Sequence, residues 1–427
     1  MLGFAMVQLA RRMGDKLDRN MRQELVKLCH PFRSIPCFLH RPVEHIRKKT
    51  KRLPVVIDFH NQSYQHGLND FKKITRMSPR PFHSICSCST KLSIDKLERL
   101  LDNCQHIKKI HYDRKMTILL DTASPAIRSN QLQKSGLTGK DITVAVIDTG
   151  IHPHQDLKGR IIAFKDLVKN KTKPYDDNGH GTHCAGDVAG DGSASNGKYR
   201  GPAPEANLVG VKVLNKKGSG SLSTVIEGID WCIQNQSRYN INVLSLSLGS
   251  KAQQSAENDP AVRVVDKAWN NGIVVCVAAG NEGPEERTIS SPGISPKVIT
   301  VGAVNDNDTI DRSDDVVADF SSRGPTVNGL VKPDLLTPGV NIISLRSPGS
   351  YLDRIYFGAR VGKNYFSLSG TSMATPIFAG VVAQILQKET NLTPDQVKQK
   401  VIQACEDIGQ PPNVQGNGYL NAEKLFG

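Results

Sequence analysis

The chain has 427 residues, of which 38 % are hydrophobic and 22 % charged, as is ordinary for a globular protein with one large core and an accessory domain. Its formal net charge is +14. Residues 1–60 hold 13 Lys or Arg against 5 Asp or Glu, and so supply +8 of that charge. Because the rest of the chain is only mildly basic, the charge argues against a protein built throughout to bind nucleic acid.

Neither a secretory leader nor a membrane segment is expected. The apolar start, Met1–Ala10, has no basic stretch before it and is followed by Arg11 and Arg12, the reverse of a secretory signal. No apolar run is long enough to cross a bilayer. The nine cysteines are scattered along the chain, which favours free thiols in a reducing, cytoplasmic setting. Cys86 and Cys88 could form half of a metal site, but no second pair follows at suitable spacing, so ordinary thiols are favoured.

Residues 1–53 are predicted to form a basic amphipathic helix followed by a linker. Apolar residues recur there at three- and four-residue spacing, with basic residues between them. They are Leu2, Met6, Leu9, Met13, Leu17, Met21, Leu25 and Leu28. Packing against the rest of the protein is favoured over binding to a membrane surface. Pro31 and Pro36 end the helix, and the basic stretch from His45 to Arg52 is expected to be an exposed linker.

Residues 54–120 are predicted to form a compact α+β domain. Strands are expected at residues 55–59, 83–89 and 116–120, and helices at residues 67–77 and 95–103, the second capped by Ser93. This domain carries no evident catalytic cluster. A loop over residues 121–139 leads into the main domain, which is assigned to residues 121–427.

The main domain alternates buried strands with helices. The run Ile142–Ile147 is continuously apolar and β-branched, which is typical of a strand covered on both faces. Similar runs follow at residues 208–214, 243–248, 273–278 and 298–304, and helical segments at residues 223–234 and 261–271 separate several of them. The pattern predicts an α/β fold with a doubly wound parallel sheet, whose functional residues cluster at the carboxyl ends of the strands.

Three short motifs in this domain carry residue types suited to nucleophilic catalysis. Asp148 ends the first buried strand, where an α/β sheet presents side chains to its crevice. His183 lies among small residues that begin a helix. Ser372 is expected at a helix N-terminus, where backbone N–H groups and the helix dipole favour a negative oxygen. Each has a plainer interpretation by itself: a turn residue for Asp148, metal ligands for His183 and its neighbour His180, and a helix cap for Ser372.

Taken together, the motifs resemble those of the subtilisin family of serine proteases over roughly residues 125–425. The matching stretches are Asp148-Thr149-Gly150, His180-Gly181-Thr182-His183, Phe320-Ser321-Ser322-Arg323-Gly324-Pro325, Lys332-Pro333-Asp334, Pro338-Gly339-Val340 and Gly370-Thr371-Ser372-Met373-Ala374. The order Asp, His, Ser along the chain is that of subtilisin. The resemblance implies a serine endopeptidase of broad specificity that cuts proteins or peptides through an acyl-enzyme.

The resemblance also implies residue roles. Asp148, His183 and Ser372 would form the catalytic triad, with His183 as the general base. Asn281, in the motif A-A-G-N-E-G, would donate a hydrogen bond to the oxyanion. Two segments would pair with the backbone of an extended peptide substrate: Gly218-Ser219-Gly220 and Ser247-Leu248-Gly249.

Three further expectations come from the same family. The α+β domain resembles a subtilisin propeptide, which would act in cis as a chaperone, leave its last strand near the cleft, and be removed by self-cleavage between Asp113 and Ser129. Cys184 directly follows the motif histidine, as in the proteinase K-like branch. Asp156 matches a calcium ligand, but residues 191–197 do not reproduce the accompanying loop. No cofactor is therefore expected, and an exposed loop aspartate is favoured over a metal site.

Two other classes of function stay open at this point. The basic N-terminus could bind nucleic acid or a membrane surface, with the α/β domain as a scaffold and with salt-sensitive affinity. An inactive protease relative that acts by binding is disfavoured, because Asp148, His183, Ser372 and Asn281 are all present.

Overall fold

The computed structural model describes residues 5–28, 40–118, 130–307, 309 and 312–426. It divides into two compact units, Met1–Arg114 and Lys115–Gly427. The sequence-based boundaries after residues 53 and 120 therefore differ from the structural one, which falls after Arg114. Of the loop expected at residues 121–139, residues 121–129 lie outside the described residues, and residues 130–134 form a helix instead.

The first unit packs helices on one antiparallel sheet. Its elements are α1 (Ala5–Arg12), α2 (Arg19–Lys27), α3 (His40–Thr50), β1 (Arg52–Phe59), α4 (Tyr64–Thr75), β2 (Arg80–Phe82), β3 (Ser87–Ser93), α5 (Ile94–Asn103) and β4 (Ile107–Tyr112). The strand order is β2-β3-β1-β4. Ser93 caps α5 by accepting from the N–H of Lys96, as expected. The stretch expected to be a basic linker instead includes the end of α3.

The N-terminal segment is part of this unit rather than an appendage. Met6 and Met21 are fully buried in the same apolar cluster as Phe59 of β1 and Leu100 of α5. The single long helix predicted from the periodicity is wrong: the chain turns after α1, and Asp18 caps α2 by accepting from the N–H of Met21 at 2.6 Å. Burial in a shared core supports the predicted packing on the protein.

The described part of the second unit contains one large ten-stranded sheet, beside a four-stranded and a three-stranded sheet. Its strands are β5 (Lys115–Ile118), β6 (Thr143–Asp148), β7 (Ile161–Asp166), β8 (Asn207–Lys212), β9 (Ser219–Ser221), β10 (Ile241–Leu246), β11 (Leu248–Lys251), β12 (Val274–Ala278), β13 (Ser290–Ser291), β14 (Ile299–Asn305), β15 (Val316–Val317), β16 (Leu335–Pro338), β17 (Ile342–Leu345), β18 (Arg360–Val361), β19 (Tyr365–Leu368), β20 (Cys405–Glu406) and β21 (Tyr419–Leu420).

Its helices cover that sheet. They are α6 (Asn130–Lys134), α7 (His180–Ala189), α8 (Leu222–Gln234), α9 (Gln236–Tyr239), α10 (Pro260–Asn270), α11 (Tyr351–Ile355), α12 (Thr371–Lys388), α13 (Pro394–Gln403) and α14 (Pro412–Gln415). Among the described helices, none has both the length and the apolar character needed to span a membrane.

Parallel pairing puts the functional motifs at one edge of the sheet. The order β16-β14-β12-β10-β6-β8-β7 is parallel throughout, which confirms the predicted doubly wound α/β fold. Asp148 is the last residue of β6, and Asn281 follows β12 by three residues. The carboxyl ends of parallel strands meet at one edge, so these side chains share a crevice.

One predicted strand has an unexpected partner. Residues 116–120 were predicted as the last strand of the α+β domain, and the resemblance to a propeptide implied that this strand lies near the cleft. β5 belongs to the second unit rather than to the first, and it runs antiparallel to both β9 and β11 and lies between them. Its register sets Met116 opposite Gly220 and the backbone of residue 117 opposite Gly249.

Candidate active site

The two histidines of the H-G-T-H motif have different partners, and His180 is the one that meets Asp148. Nδ1 of His180 lies 2.8 Å and 2.9 Å from the two carboxylate oxygens of Asp148, and both side chains are buried. A carboxylate at Nδ1 fixes the ring proton there, which leaves Nε2 with its lone pair. Nε2 is buried and has no hydrogen-bond partner among the described residues. His180 is thus arranged as a general base.

His183 cannot take that role, so the assignment made from the sequence is wrong. Its Nδ1 lies 2.9 Å from Oδ2 of Asp187, and its Nε2 lies 3.0 Å and 3.1 Å from the carbonyl oxygens of Ile342 and Phe366. Both ring nitrogens are used within a buried site. His183 therefore ties α7 to the β17–β19 pair instead of facing a substrate.

Local backbone geometry explains why the helix begins at His180. Gly179 precedes it with a φ of 109°, a conformation that suits glycine. Asp176 fixes the turn because its carboxylate accepts from the N–H groups of Asn178, Gly179 and Thr182. The first residue of α7 is then the one that points at the end of β6.

Ser372 stands at the start of α12, as predicted. It is fully buried, and its Oγ donates to the carbonyl of Ser247 at 3.1 Å. Ser247 in turn donates to the carbonyl of Ser372 at 2.8 Å. Ser372 is therefore joined to the residue that precedes β11.

Cys184 lies between His180 and Ser372. It follows His183 directly in the sequence, but it is one helical turn after His180. Its sulfur is 3.7 Å from Nδ1 of His180 and 3.5 Å from the carbonyl oxygen of Ser372. The imidazole and the serine are thus neighbours across one thiol. Burial first, and the charge of Asp148 next, raise the pKa of Cys184, so the thiol stays protonated.

Asn281 presents an unused donor beside the serine. Its Oδ1 accepts from the backbone N–H and the hydroxyl of Thr371, at 3.1 Å and 2.9 Å. Since the backbone N–H of Thr371 can donate to the amide oxygen but not to the amide NH2 group, these bonds fix the orientation of the amide. Nδ2 is buried without a partner among the described residues. A buried, unpaired donor next to a nucleophile is what an oxyanion hole requires.

A buried lysine that the sequence reasoning did not single out joins the parts of this site. Lys212, at the end of β8, donates to the carbonyls of Thr149 and Leu214 and pairs with Asp177 at 2.8 Å. It therefore links the residue after Asp148 to the turn before His180. The signal in the sequence is a lysine inside an otherwise apolar strand. A charged lysine is costly to bury unless it is paired.

The predicted substrate segments flank a cleft that is filled by the chain itself. Ser219 and Gly220 belong to β9 and Leu248 and Gly249 to β11, while Ser247 precedes β11. A side chain at position 220 would meet the carbonyl oxygen of Val213 at 2.5 Å, so glycine lets the two backbones approach there. β5 occupies the space between the two edges.

Asp148, His180 and Cys184 are also close enough to share a metal ion. Nδ1 of His180 and the carboxylate are already bonded to each other, however, and the thiol is kept protonated by burial. These contacts favour proton transfer over metal binding.

Comparison with known proteins agrees with this geometry. Residues 139–418 match the model of the subtilase family, Peptidase S8. The chain is 51 % identical to serine protease AprX of Bacillus subtilis over 99 % of both chains. It is 37 % identical to subtilisin E of Bacillus subtilis over 70 % of this chain and 68 % of that protein.

The fold agrees as well. The crystal structure of fervidolysin from Fervidobacterium pennivorans, a keratinolytic enzyme related to subtilisin, superposes with a TM-score of 0.69 at 23 % identity. The match covers 88 % of this chain and 61 % of that one. The motifs, the paired Asp148 and His180, and the matches over most of the chain lead to one conclusion: this protein belongs to the subtilase family and is a serine endopeptidase.

Proposed function

We propose that Asp148, His180 and Ser372 form the catalytic triad. The observation that carries the assignment is the pairing of His180 Nδ1 with both oxygens of Asp148 while Nε2 stays buried and unpartnered. Rotation of the Ser372 side chain from the Ser247 carbonyl toward Nε2 prepares the nucleophile. His180 then takes the hydroxyl proton as Oγ attacks the peptide carbonyl, and Asp148 stabilises the imidazolium.

The remaining steps return the enzyme to its starting state. The carbonyl oxygen becomes negative and accepts from Asn281 Nδ2 and the N–H of Ser372. When the tetrahedral intermediate collapses, the C–N bond breaks and His180 gives its proton to the leaving amine. Water, deprotonated by His180, then attacks the acyl ester and frees Ser372. Because β9 and β11 offer backbone groups for pairing, the substrate is an extended polypeptide, and its sequence is little restricted.

Asn281→Ala should lower kcat by about 10²–10³-fold, a magnitude taken from the equivalent change in subtilisin, because the oxyanion loses one donor. KM should change little, since the bond forms in the transition state. Steady-state kinetics on a peptide substrate measure both. Asn413→Ala is a control, because that amide also has a buried atom without a partner among the described residues but lies on α14, which contributes no residue to the proposed triad. A large KM increase with unchanged kcat in Asn281→Ala would contradict the proposed role.

We also propose that residues 1–119 are a propeptide that acts in cis. Support comes from β5, which follows the first unit directly and uses the backbone groups of β9 and β11 that a substrate would need. While β5 is there, no other peptide can pair with both edges. The full-length chain is then autoinhibited, and cleavage followed by release of the unit gives the active enzyme.

The register of β5 points to the bond that is cut. The backbone of Ile118 pairs with Leu248, and the next residue toward the active site on that edge is Ser247, which accepts from Ser372. The described antiparallel register ends at Ile118, one position short of Ser247, so the bond that is cut is expected shortly after Ile118. We propose the Leu119–Leu120 bond, within the interval expected from the sequence, most of which lies outside the described residues.

Ser372→Ala should therefore stay at full length when purified alone, while the unmodified protein yields a chain that begins at Leu120. Intact mass and N-terminal sequencing check both. Ser369→Ala is the matched control, because Ser369 Oγ is buried without a partner among the described residues and its loss should leave processing unchanged. Shortening of Ser372→Ala to the same size, or a new N-terminus several residues from Leu120, would each reject the proposal.

We propose that the enzyme needs no calcium at Asp156. This residue is fully buried rather than exposed, which corrects the sequence-based expectation. Its Oδ2 accepts from the hydroxyl of Tyr365 at 2.7 Å, and its Oδ1 from the N–H of Ala194 at 2.9 Å and the hydroxyl of Ser193 at 3.3 Å. Three donors aim their hydrogens at the carboxylate, so the site does not fit a cation.

Excess EDTA should therefore leave the Tm of the mature enzyme unchanged, while Tyr365→Phe should cost about 1–3 kcal/mol because a buried carboxylate oxygen loses its donor. Calorimetry measures both. Tyr199→Phe is the control: its ring packs on Tyr365 at a centroid distance of 4.7 Å, and removing that hydroxyl leaves the stack intact. A Tm that falls in EDTA and returns with added calcium would overturn the proposal.

We further propose a cytoplasmic location. It is supported by the seven described cysteines, none of which forms a disulfide. Fractionation of producing cells would place the active enzyme, and activity confined to the medium would exclude this location.

A further inference from the structure

An arm formed by residues 346–364 connects β17 to β19. It contains α11, a turn at Phe357–Ala359 and the short strand β18, which pairs back on β19. Ser350 caps α11 by accepting from the N–H of Asp353. The arm is therefore an ordered element rather than an open loop.

Ion pairs brace the arm from within. The carboxylate of Asp353, which is only 3 % exposed, receives Arg346 at 2.6 Å and Arg360 at 2.7 Å. The N–H of Gly349 donates to the same carboxylate at 2.8 Å. Two arginines and a backbone donor on one buried acid hold both ends of α11 in place.

The arm is bonded to the turn that places the catalytic histidine. The N–H of Tyr351 donates to the carbonyl of Asp177 at 3.0 Å, and that of Leu352 to the carbonyl of Asn178 at 2.9 Å. A side chain at Gly179 would meet Ser350 Oγ at 2.7 Å, so the two segments are in close contact just before His180. The arm is therefore held directly against the turn that precedes His180.

The tip of the arm exposes three consecutive large apolar side chains. Ile355 is 45 % exposed, Tyr356 53 % and Phe357 73 %. At 1.5 Å per residue, Ile355 lies only about 6 Å along α11 from Tyr351. A contiguous apolar patch on a rigid element marks a binding surface, and aromatic side chains are frequent anchors in such surfaces.

We propose that Ile355, Tyr356 and Phe357 bind apolar side chains of the polypeptide substrate beyond the residues held by β9 and β11. The occupant is the extended substrate chain itself, because α11 connects the patch to the turn that places His180. Backbone pairing at β9 and β11 discriminates little between substrate sequences, whereas this patch would favour unfolded segments rich in apolar residues. The inference rests on the endopeptidase activity and adds a specificity determinant to it.

The test compares three substrates on the mature enzyme and the Tyr356→Ser/Phe357→Ser variant. They are a twelve-residue quenched-fluorescent peptide with Leu and Phe flanks, the same peptide with Ser flanks, and a short alanine-rich anilide. We expect kcat/KM for the apolar-flanked peptide to fall about tenfold, mostly through KM, as the loss of one or two aromatic contacts predicts. The other two substrates should be cleaved as before.

Ile162→Ser is the matched control. Ile162 is also exposed, at 42 %, but it lies near the amino end of β7, at the opposite edge of the sheet from Asp148. An unchanged kcat/KM for the apolar-flanked peptide would overturn the proposal. So would an equal loss on all three substrates, since the arm would then act by positioning the His180 turn, and so would the same selective loss in Ile162→Ser.

Discussion

His180→Gln should lower kcat by roughly 10⁶-fold, the order of loss known for subtilisin without its catalytic histidine, whereas His183→Gln should keep kcat within about tenfold. The amide of glutamine at position 180 cannot take the proton of Ser372. At position 183 the same amide can still donate to the carbonyls that now face Nε2. The expected cost there is stability, about 1–3 kcal/mol, because Asp187 loses its buried partner.

The readouts for these two variants separate catalysis from folding. Self-processing, followed by intact mass, should stop in His180→Gln and proceed in His183→Gln. Labelling of the matured His183→Gln protein by a serine-directed fluorophosphonate counts its active sites, so its kcat can be expressed per folded enzyme. Full processing in His180→Gln together with its loss in His183→Gln would return the base to the residue first chosen from the sequence.

That first choice shows where sequence reasoning stops. Both histidines lie in one motif, three residues apart on one helix, and both are buried. Only their tertiary partners differ: His180 faces the end of β6, while His183 faces carbonyls of β17 and β19. These carbonyls lie 159 and 183 residues from His183 along the chain, so the H-G-T-H motif by itself does not separate the two roles. The turn at Gly179, which starts the helix, is the one local clue in favour of His180.

The strands were easier to predict than their pairing. Apolar β-branched runs located β6, β8, β10, β12 and β14 to within a few residues, because a strand buried on both faces must be apolar throughout. The same local signal found β5 but assigned it to the α+β domain, whereas it pairs within the second unit. The pairing of a strand depends on which strand edges are free to bind it. The edges that bind β5 belong to β9 and β11, which lie about 100 and 130 residues later in the chain. Ser372, by contrast, lies at the start of a helix as its motif predicted, and Asn281 contacts the residue before it.

The second large effect concerns the N-terminal unit, which should become less stable at alkaline pH. His111 is buried between two acids: Nε2 lies 2.7 Å from Asp58 Oδ2, and Nδ1 lies 3.7 Å from Asp18 Oδ2. Ser87 donates to the other oxygen of Asp58 at 2.7 Å. Asp18 caps α2, so this cluster also fastens the N-terminal helices to the sheet.

The direction of this pH effect follows from the charges that surround His111. Burial, the largest influence, lowers the pKa of His111, but the charges and hydrogen bonds of Asp58 and Asp18 together outweigh it and the pKa is raised. A histidine whose pKa is higher in the folded state adds stability that is complete below its unfolded pKa of about 6.5. That stability is lost as the pH rises through the folded pKa. The loss therefore begins above about pH 6.5.

Hydrogen exchange of the β1 amides in the full-length Ser372→Ala protein, corrected for intrinsic rates, measures this loss. Protection should fall as the pH rises from 6 to 9, while the fluorescence of Trp231 and Trp269 reports the other unit separately. His111→Gln should remove the pH dependence. It should also cost about 3–5 kcal/mol at pH 6, because two buried carboxylates lose their cation. A cost of that size is a large part of the stability of a small domain.

His106→Gln provides the contrast within the same unit. His106 lies 3.6 Å from Asp70 Oδ2, but about a third of each side chain is exposed, so solvent screens the pair and its loss should cost little. Protection that stays constant or rises toward alkaline pH would mean that a carboxyl of Asp58 or Asp18 holds the proton instead. If the N-terminal unit inhibits the enzyme as proposed, the loss of the His111 charge in alkaline solution should weaken that inhibition.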